Sequence, residues 1–177
     1  THILKREDIV VKIRAEIEQV FGAGEIDPIR VEELVYLQAC IDESQRKKPI
    51  SVGFNRTLIK NVQLGPLSVP SGVALLPSIY LVQNDPAIWG EDVAVYKPER
   101  FLEQKIPLEH FLPFGGGRRR CLGAAFASRQ MLIQLAEIIR RCNFDGQQHY
   151  QPQFIQSGQA VDLKEPFTVT VERIDDA

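Results

Sequence analysis

One thiol stands out for the company it keeps. From Phe114 to Gly123 the chain reads FGGGRRRCLG: an aromatic, three glycines, three arginines, Cys121, and a further glycine two places on. The residues after it, LGAAFASRQMLIQLAEIIRR at 122–141, have helical apolar spacing, so Cys121 is expected at a helix N-terminus. Unpaired backbone N–H groups and the positive end of the helix dipole favour an anion there, and neighbouring arginines act in the same direction. A thiolate at neutral pH is the expectation. The flanking glycines let the backbone approach something large and flat without Cβ clashes. Three chemistries compete for such a thiolate. A nucleophile would need a histidine base, and the chain offers only His2, His110 and His149, none adjacent in sequence. A phosphate loop would need GxxxxGK[ST], and this stretch has neither the lysine nor the hydroxyl. Metal ligation by one thiolate, with a cofactor supplying the remaining ligands, fits best.

A second group of charge has spacing that matters. In ESQR, Glu43 and Arg46 are three residues apart on a helical stretch, so both project from one face and can pair. Taken alone, they read by default as an ordinary surface pair.

The elements that position these residues can be read in outline. Residues 6–21 place Ile9, Ile13, Ile17, Val20 and Phe21 on one helical face, stopped by Gly22. A second helix is expected over 31–47, with Leu34, Leu37, Cys40 and Ile41 inward and Pro49 ending it. From Ser51 to Leu81 short β-favouring pieces (SVGF, TLIKNVQL, GVALL) separated by Gly and Pro predict a small antiparallel sheet. QNDPAIWGED suggests a helical turn or loop. Residues 93–120 read as irregular, long for a structureless stretch in a compact domain, and such stretches are commonly functional. PFTVTVERI near the end alternates as a strand. Cys40 and Cys142 read as core fillers.

Composition narrows the class. Of 177 residues, 44% are hydrophobic and 25% charged, with a net charge of −2, an ordinary globular mix that argues against a general nucleic-acid binder. No apolar run approaches the roughly 18 residues of a membrane span. Three cysteines without CxxC spacing favour a reducing compartment over a disulfide framework. A soluble, cytoplasmic protein is expected, with a membrane anchor on a longer native chain left open.

Together these motifs resemble a known family. Phe114, Gly117, Arg119, Cys121 and Gly123 match every fixed position of FxxGxRxCxG, the haem-binding signature of cytochrome P-450. ESQR is similar to the family's ExxR, and PERF at 98–101 to its PERF motif, in the family's order. The resemblance implies a mainly α fold with small antiparallel β-sheets, residues 1–177 forming one region, the C-terminal haem-binding part of that domain. It implies haem b (iron protoporphyrin IX), with Cys121 as the axial iron ligand. Arg119 would meet a haem propionate, Arg56 in FNRT a second one, and Phe114 would pack near the sulfur. Glu43, Arg46 and Arg100 would form the family's structural triad. Two departures are peripheral: VQNDP lacks the basic residue common before DP, and SRQ at 128–130 occupies a commonly acidic helix position.

The same resemblance implies a monooxygenase that inserts one oxygen atom from O2 into a small organic substrate. Ferredoxin, flavodoxin or a flavin reductase would deliver electrons on the face near Arg118, Arg120 and Arg129. The acid–alcohol pair and kinked distal helix that activate oxygen would lie upstream of Arg6, where no such motif is found. Two functions are therefore carried forward. One is an enzyme portion completed by an N-terminal half, inactive alone and holding haem weakly. The other is a stand-alone, non-catalytic haem-binding module, or a degenerate fragment acting through a partner.

Overall fold

The computed structural model describes residues 2–146, 153–157 and 160–174; His149 lies outside them. Helix α1 (Glu7–Phe21) carries Glu7 and Asp8 in its first turn, where acidic groups suit the dipole. It buries Ile9, Ile13 and Ile17, while Val20 and Phe21 are only half-buried. Gly22 ends it at φ +55°, a left-handed conformation that glycine adopts without a Cβ penalty. Instead of one helix over 31–47, a 3-10 turn at Val31–Glu33 is followed by a break at Leu34 and then α2 (Val35–Lys47). The cause is a neighbour. Glu16 of α1 accepts the Tyr36 N–H at 2.6 Å and the Leu37 N–H at 2.9 Å, so a carboxylate from another helix satisfies the first orphan donors and fixes where α2 starts.

The next segment forms two small antiparallel ladders. Strand β1 (Arg56–Thr57) pairs with the later β4, and β2 (Val62–Leu64) pairs with β3 (Leu67–Val69) across Gly65–Pro66. Strand β4 is Ala74–Leu75. SVGF, expected as a strand, supplies isolated bridge residues instead, among them Gly53, which bridges to Ser78. A β-carbon on Gly53 would meet the Pro77 carbonyl at 2.6 Å, so the backbones cross too closely for any other residue. Helix α3 (Ile79–Gln83) is capped by Ser78 Oγ, which accepts the Leu81 N–H. Helix α4 (Pro86–Trp89) is capped by Asp85 with proline in its first turn.

The stretch 93–120 is less irregular than its composition suggests. It contains α5 (Arg100–Glu103) and a 3-10 turn at Gly117–Arg119. Helix α6 (Ala124–Arg141) begins two residues later than the periodicity predicts, with Gly123 as its N-cap, and Leu122 stays fully exposed. It runs directly into β5 (Cys142–Gly146). Beyond it lie β6 (Phe154–Ser157), β7 (Ala160–Leu163) and β8 (Val169–Arg173); β5 pairs with β8, and β6 with β7, all antiparallel. The fold class is mainly α with small antiparallel sheets.

Helices α1, α2 and α6 share one apolar core, in which Ile13, Leu37, Cys40, Ala136 and Ile139 are completely buried. Arg14 of α1 donates to the carbonyls of Ile139 at 3.0 Å and Cys142 at 2.7 Å. Helix α1 thereby helps to satisfy the carbonyls at the C-terminal end of α6, where the Ile174 N–H also bonds the Arg141 carbonyl. Among the described residues, no helix is long and apolar enough to cross a membrane.

Candidate functional site

The charged triad is a buried structural centre. Arg46 donates to Glu43 through Nε at 2.7 Å and Nη2 at 2.9 Å, and both side chains are fully buried. Arg100, nearly as deeply buried, reaches the same carboxylate at 3.3 Å. The Lys97 N–H adds a third donor, to Glu43 Oε1 at 3.0 Å. Remaining donors are also used: Arg46 bonds the carbonyls of Gln83 and Val93, each at 2.8 Å, and Arg100 those of Trp89 and Asp92. No buried side-chain nitrogen or oxygen is unsatisfied among the described residues. The Arg46 guanidinium lies 5.1 Å from the Trp89 ring centre, and Trp89, Phe101 and Phe111 pack as an aromatic cluster. The arrangement thus joins α2, α4, α5 and the segment leading to the cysteine.

The cysteine loop is closed by the backbone. The Cys121 N–H donates to the Phe114 carbonyl at 3.0 Å, and the Gly115 N–H to that of Leu112 at 2.9 Å. Gly115 and Gly117 have φ of +73° and +64°, and a β-carbon at Gly116 would press to 3.1 Å from the Leu112 side chain. Cys121 is exposed, just ahead of α6. Beside it opens a cleft of about 470 Å³ lined by Cys121, Arg119, Arg56, Phe114, Ile79 and Phe54, among others. Residues as far apart as Phe54 and Cys121 are therefore gathered on one cavity: a thiol, two guanidiniums and an apolar wall. Among the described residues, neither His2 nor His110 lines it, so neither of these imidazoles is placed as a base for the thiol. No group of three His, Cys, Asp or Glu side chains converges among the described residues. A metal that brings its own equatorial ligands suits this donor set; an ion caged by protein side chains does not.

The cytochrome P450 family model matches residues 1–171. The chain belongs to the cytochrome P450 family. Cytochrome P450 714B3 of Zea mays is 30% identical over 140 residues, covering 79% of this chain and 27% of the relative. The (S)-N-methylcanadine 1-hydroxylase of Papaver somniferum is 34% identical over 151 residues, covering 77% and 27%. A bifunctional cytochrome P450/NADPH–P450 reductase of Acremonium egyptiacum is 28% identical over 154 residues, covering 81% and 14%. The chain spans about a quarter of the length of the first two relatives. Cytochrome P450 membership implies haem and haem-thiolate monooxygenase chemistry for the family.

The remaining arginines and cysteines singled out in the sequence divide clearly. Arg118 and Arg120 are exposed, whereas Arg129 is ion-paired with Glu32 at 2.5 Å, so its positive charge is locally offset. Cys40 is a core residue, and burial pushes its thiol up to about 12. Cys142, expected in the core, is instead half-exposed on β5, because the chain leaves α6 there and joins a surface ladder. Gly123 does not crowd the sulfur: a β-carbon there would sit 3.9 Å from Cys121 Sγ, ordinary contact.

Two residues beside the loop escaped the sequence reading. Gln83 is completely buried and bonded on both ends of its amide. Asp42 lines a second cleft of about 540 Å³ with Phe114, Arg120 and the glycines. Burial holds its carboxyl well above the usual carboxylate range, at about 6, against the opposing hydrogen bond from Gln38 at 2.8 Å. A raised folded-state value means that the unfolded chain releases its proton first as pH rises. Asp42 therefore costs stability progressively between about pH 4 and pH 6, and the full cost persists above that window. Asp42→Asn is expected to stabilise the fold by about 1–3 kcal/mol at pH 7, with the gain vanishing near pH 4. Denaturant unfolding at both pH values measures this; equal stability of the two proteins at pH 7 would mean that the carboxylate is well solvated.

Proposed function

We propose that this chain holds haem b, with Cys121 Sγ as the axial ligand, as the thiolate-side portion of a cytochrome P450 monooxygenase. One observation carries the reading: a single cleft gathers Cys121, Arg119, Arg56 and Phe114. The fit is chemical. Haem is flat, apolar across its face, doubly anionic at one edge, and leaves its iron an axial position for a soft donor. Bound haem supplies the iron at which dioxygen is reduced so that one oxygen atom can enter an organic substrate.

The chain's own residues hold, orient and shield. The N-terminal end of α6 favours a negative sulfur, and the backbone N–H groups following Cys121 can donate toward it, moderating its electron donation. Arg119 and Arg56 would bind the two propionates by charge-assisted hydrogen bonds. Phe114, on the same cleft, would pack against the haem face near the sulfur. Glu43, Arg46 and Arg100 fix the segment from which the loop springs. Arg118 and Arg120, beside exposed Leu122 and Phe126, suit an acidic electron donor such as a ferredoxin, a flavodoxin or a flavin reductase. The three free thiols suit a reducing, cytoplasmic setting.

The aligned 79% of the chain spans 27% of the first relative's length, and on its own we expect residues 1–177 to hold haem on one face without turning over substrate. Exposed Leu76, Tyr80 and Leu81 on and before α3 suit burial by further polypeptide. The same coverage is what favours the second reading, a non-catalytic haem-binding module.

Haem titration separates the arginines. A charge-assisted hydrogen bond contributes about 1.5–3 kcal/mol, so Arg119→Ala and Arg56→Ala should each weaken haem retention roughly 10- to 100-fold. Arg118→Ala, whose residue does not line the cleft, should behave as wild type. Competition against a haem-accepting globin measures all three; loss with Arg118→Ala alone would move the propionates elsewhere.

A further inference from the structure

The triad lies in the sequence well before the cysteine, and something must carry its rigidity to the loop. The hydrogen bonds show one direct path. Gln83, at the end of α3, is fully buried. Its backbone carbonyl accepts Arg46 Nη1 at 2.8 Å, and its Nε2 donates to the carbonyls of Gln45 at 3.0 Å and Arg46 at 3.3 Å. Its Oε1 accepts the Leu112 N–H at 2.8 Å. The Leu112 carbonyl in turn accepts the Gly115 N–H, and the Phe114 carbonyl accepts the Cys121 N–H. Every polar atom of the Gln83 amide group therefore has a use, half on the triad helix and half on the root of the loop.

We propose that Gln83 is a positioning residue for the thiolate, holding the Leu112 N–H and with it the glycine turn that aims Cys121 Sγ. This rests on the reading of Cys121 as haem ligand. Buried amides that bridge two elements at both ends have one arrangement available, since rotating the group would leave donors facing donors. The loop, in contrast, contains two glycines in left-handed conformations and an exposed sulfur, so it has little packing of its own to fix it. The acceptor oxygen of Gln83 is the part that matters to the sulfur; its donor side serves α2.

Two variants divide those parts. Gln83→Leu removes both, whereas Gln83→Glu keeps an acceptor for the Leu112 N–H and loses the amide donor to the Gln45 and Arg46 carbonyls. In haem-loaded protein, the ferrous carbonyl spectrum distinguishes thiolate from protonated thiol. Q83E should keep the thiolate band as in wild type, while Q83L should convert at least half of it to the thiol form. Q83L should also speed amide exchange at Leu112, Gly115 and Cys121 about 10-fold or more in haem-free protein, without change in α1. A Q83L protein with the wild-type band and exchange would overturn the proposal, and so would equal loss of the band in both variants. Should Q83L fail to fold, Q83E decides alone: a wild-type band supports the acceptor's role and a lost one overturns it. Absence of the thiolate band in wild type would instead refute the ligand reading, and the amide exchange would still test Gln83.

Discussion

Glu43→Ala is expected to cost about 3–5 kcal/mol, the cost of leaving buried cations without their shared acceptor. Arg46 is fully buried and Arg100 3% exposed, so neither can recover its hydration by a small movement. Arg46 would keep the carbonyls of Gln83 and Val93, and Arg100 those of Trp89 and Asp92; Arg100 would also keep its ion pair with the Asp92 carboxylate at 3.4 Å, but no anion would balance Arg46. A loss of that size is a large part of the 5–15 kcal/mol that holds a typical domain folded. The expected result is a severe fall in soluble, haem-loaded yield, against almost none for the exposed Glu18→Ala. Glu43→Gln should fall between them, because its amide oxygen can still accept one guanidinium. Equal yields for Glu43→Ala and Glu18→Ala would mean that the triad contributes nothing to folding.

Cys121→Ser should show the opposite pattern. The thiol is exposed and has no part in the core, so stability should change by no more than about 0.5 kcal/mol. Serine keeps the size of the side chain but stays protonated at neutral pH and is a poor donor to soft metals. The red-shifted ferrous carbonyl band of thiolate-ligated haem should therefore disappear completely while the protein remains folded. Persistence of that band in the mutant would identify another ligand. The two substitutions thus separate the frame from the chemistry: one destroys folding without touching the cleft, and the other destroys ligation without touching the fold.

How legible these features are depends on how local their causes are. The isoleucine face of α1 and the Glu43–Arg46 pair follow from helical spacing, which a short window of sequence displays. Arg100 joins Glu43 across 57 positions, and only the order of motifs, matched to a family, links them. Gln83 carries no local signal. Its departure from the basic residue common before Asp85–Pro86 looks peripheral until both ends of its amide are seen to be bonded. Asp42 is similarly silent, since nothing in its own helix announces that it lines a cleft with the glycine loop. The late start of α2 has the same kind of cause, a carboxylate of α1 bonding the Tyr36 and Leu37 amides. Periodicity predicts elements; it does not predict which polar side chain a neighbouring element will enclose.

Whether Cys121 Sγ binds iron is tested most directly by X-ray absorption at the iron edge of haem-loaded protein, wild type beside Cys121→Ser. One sulfur scatterer in the wild-type coordination shell, lost in the mutant, is the expected result. A wild-type shell of nitrogen and oxygen alone, or a sulfur that survives the substitution, would contradict thiolate ligation by Cys121.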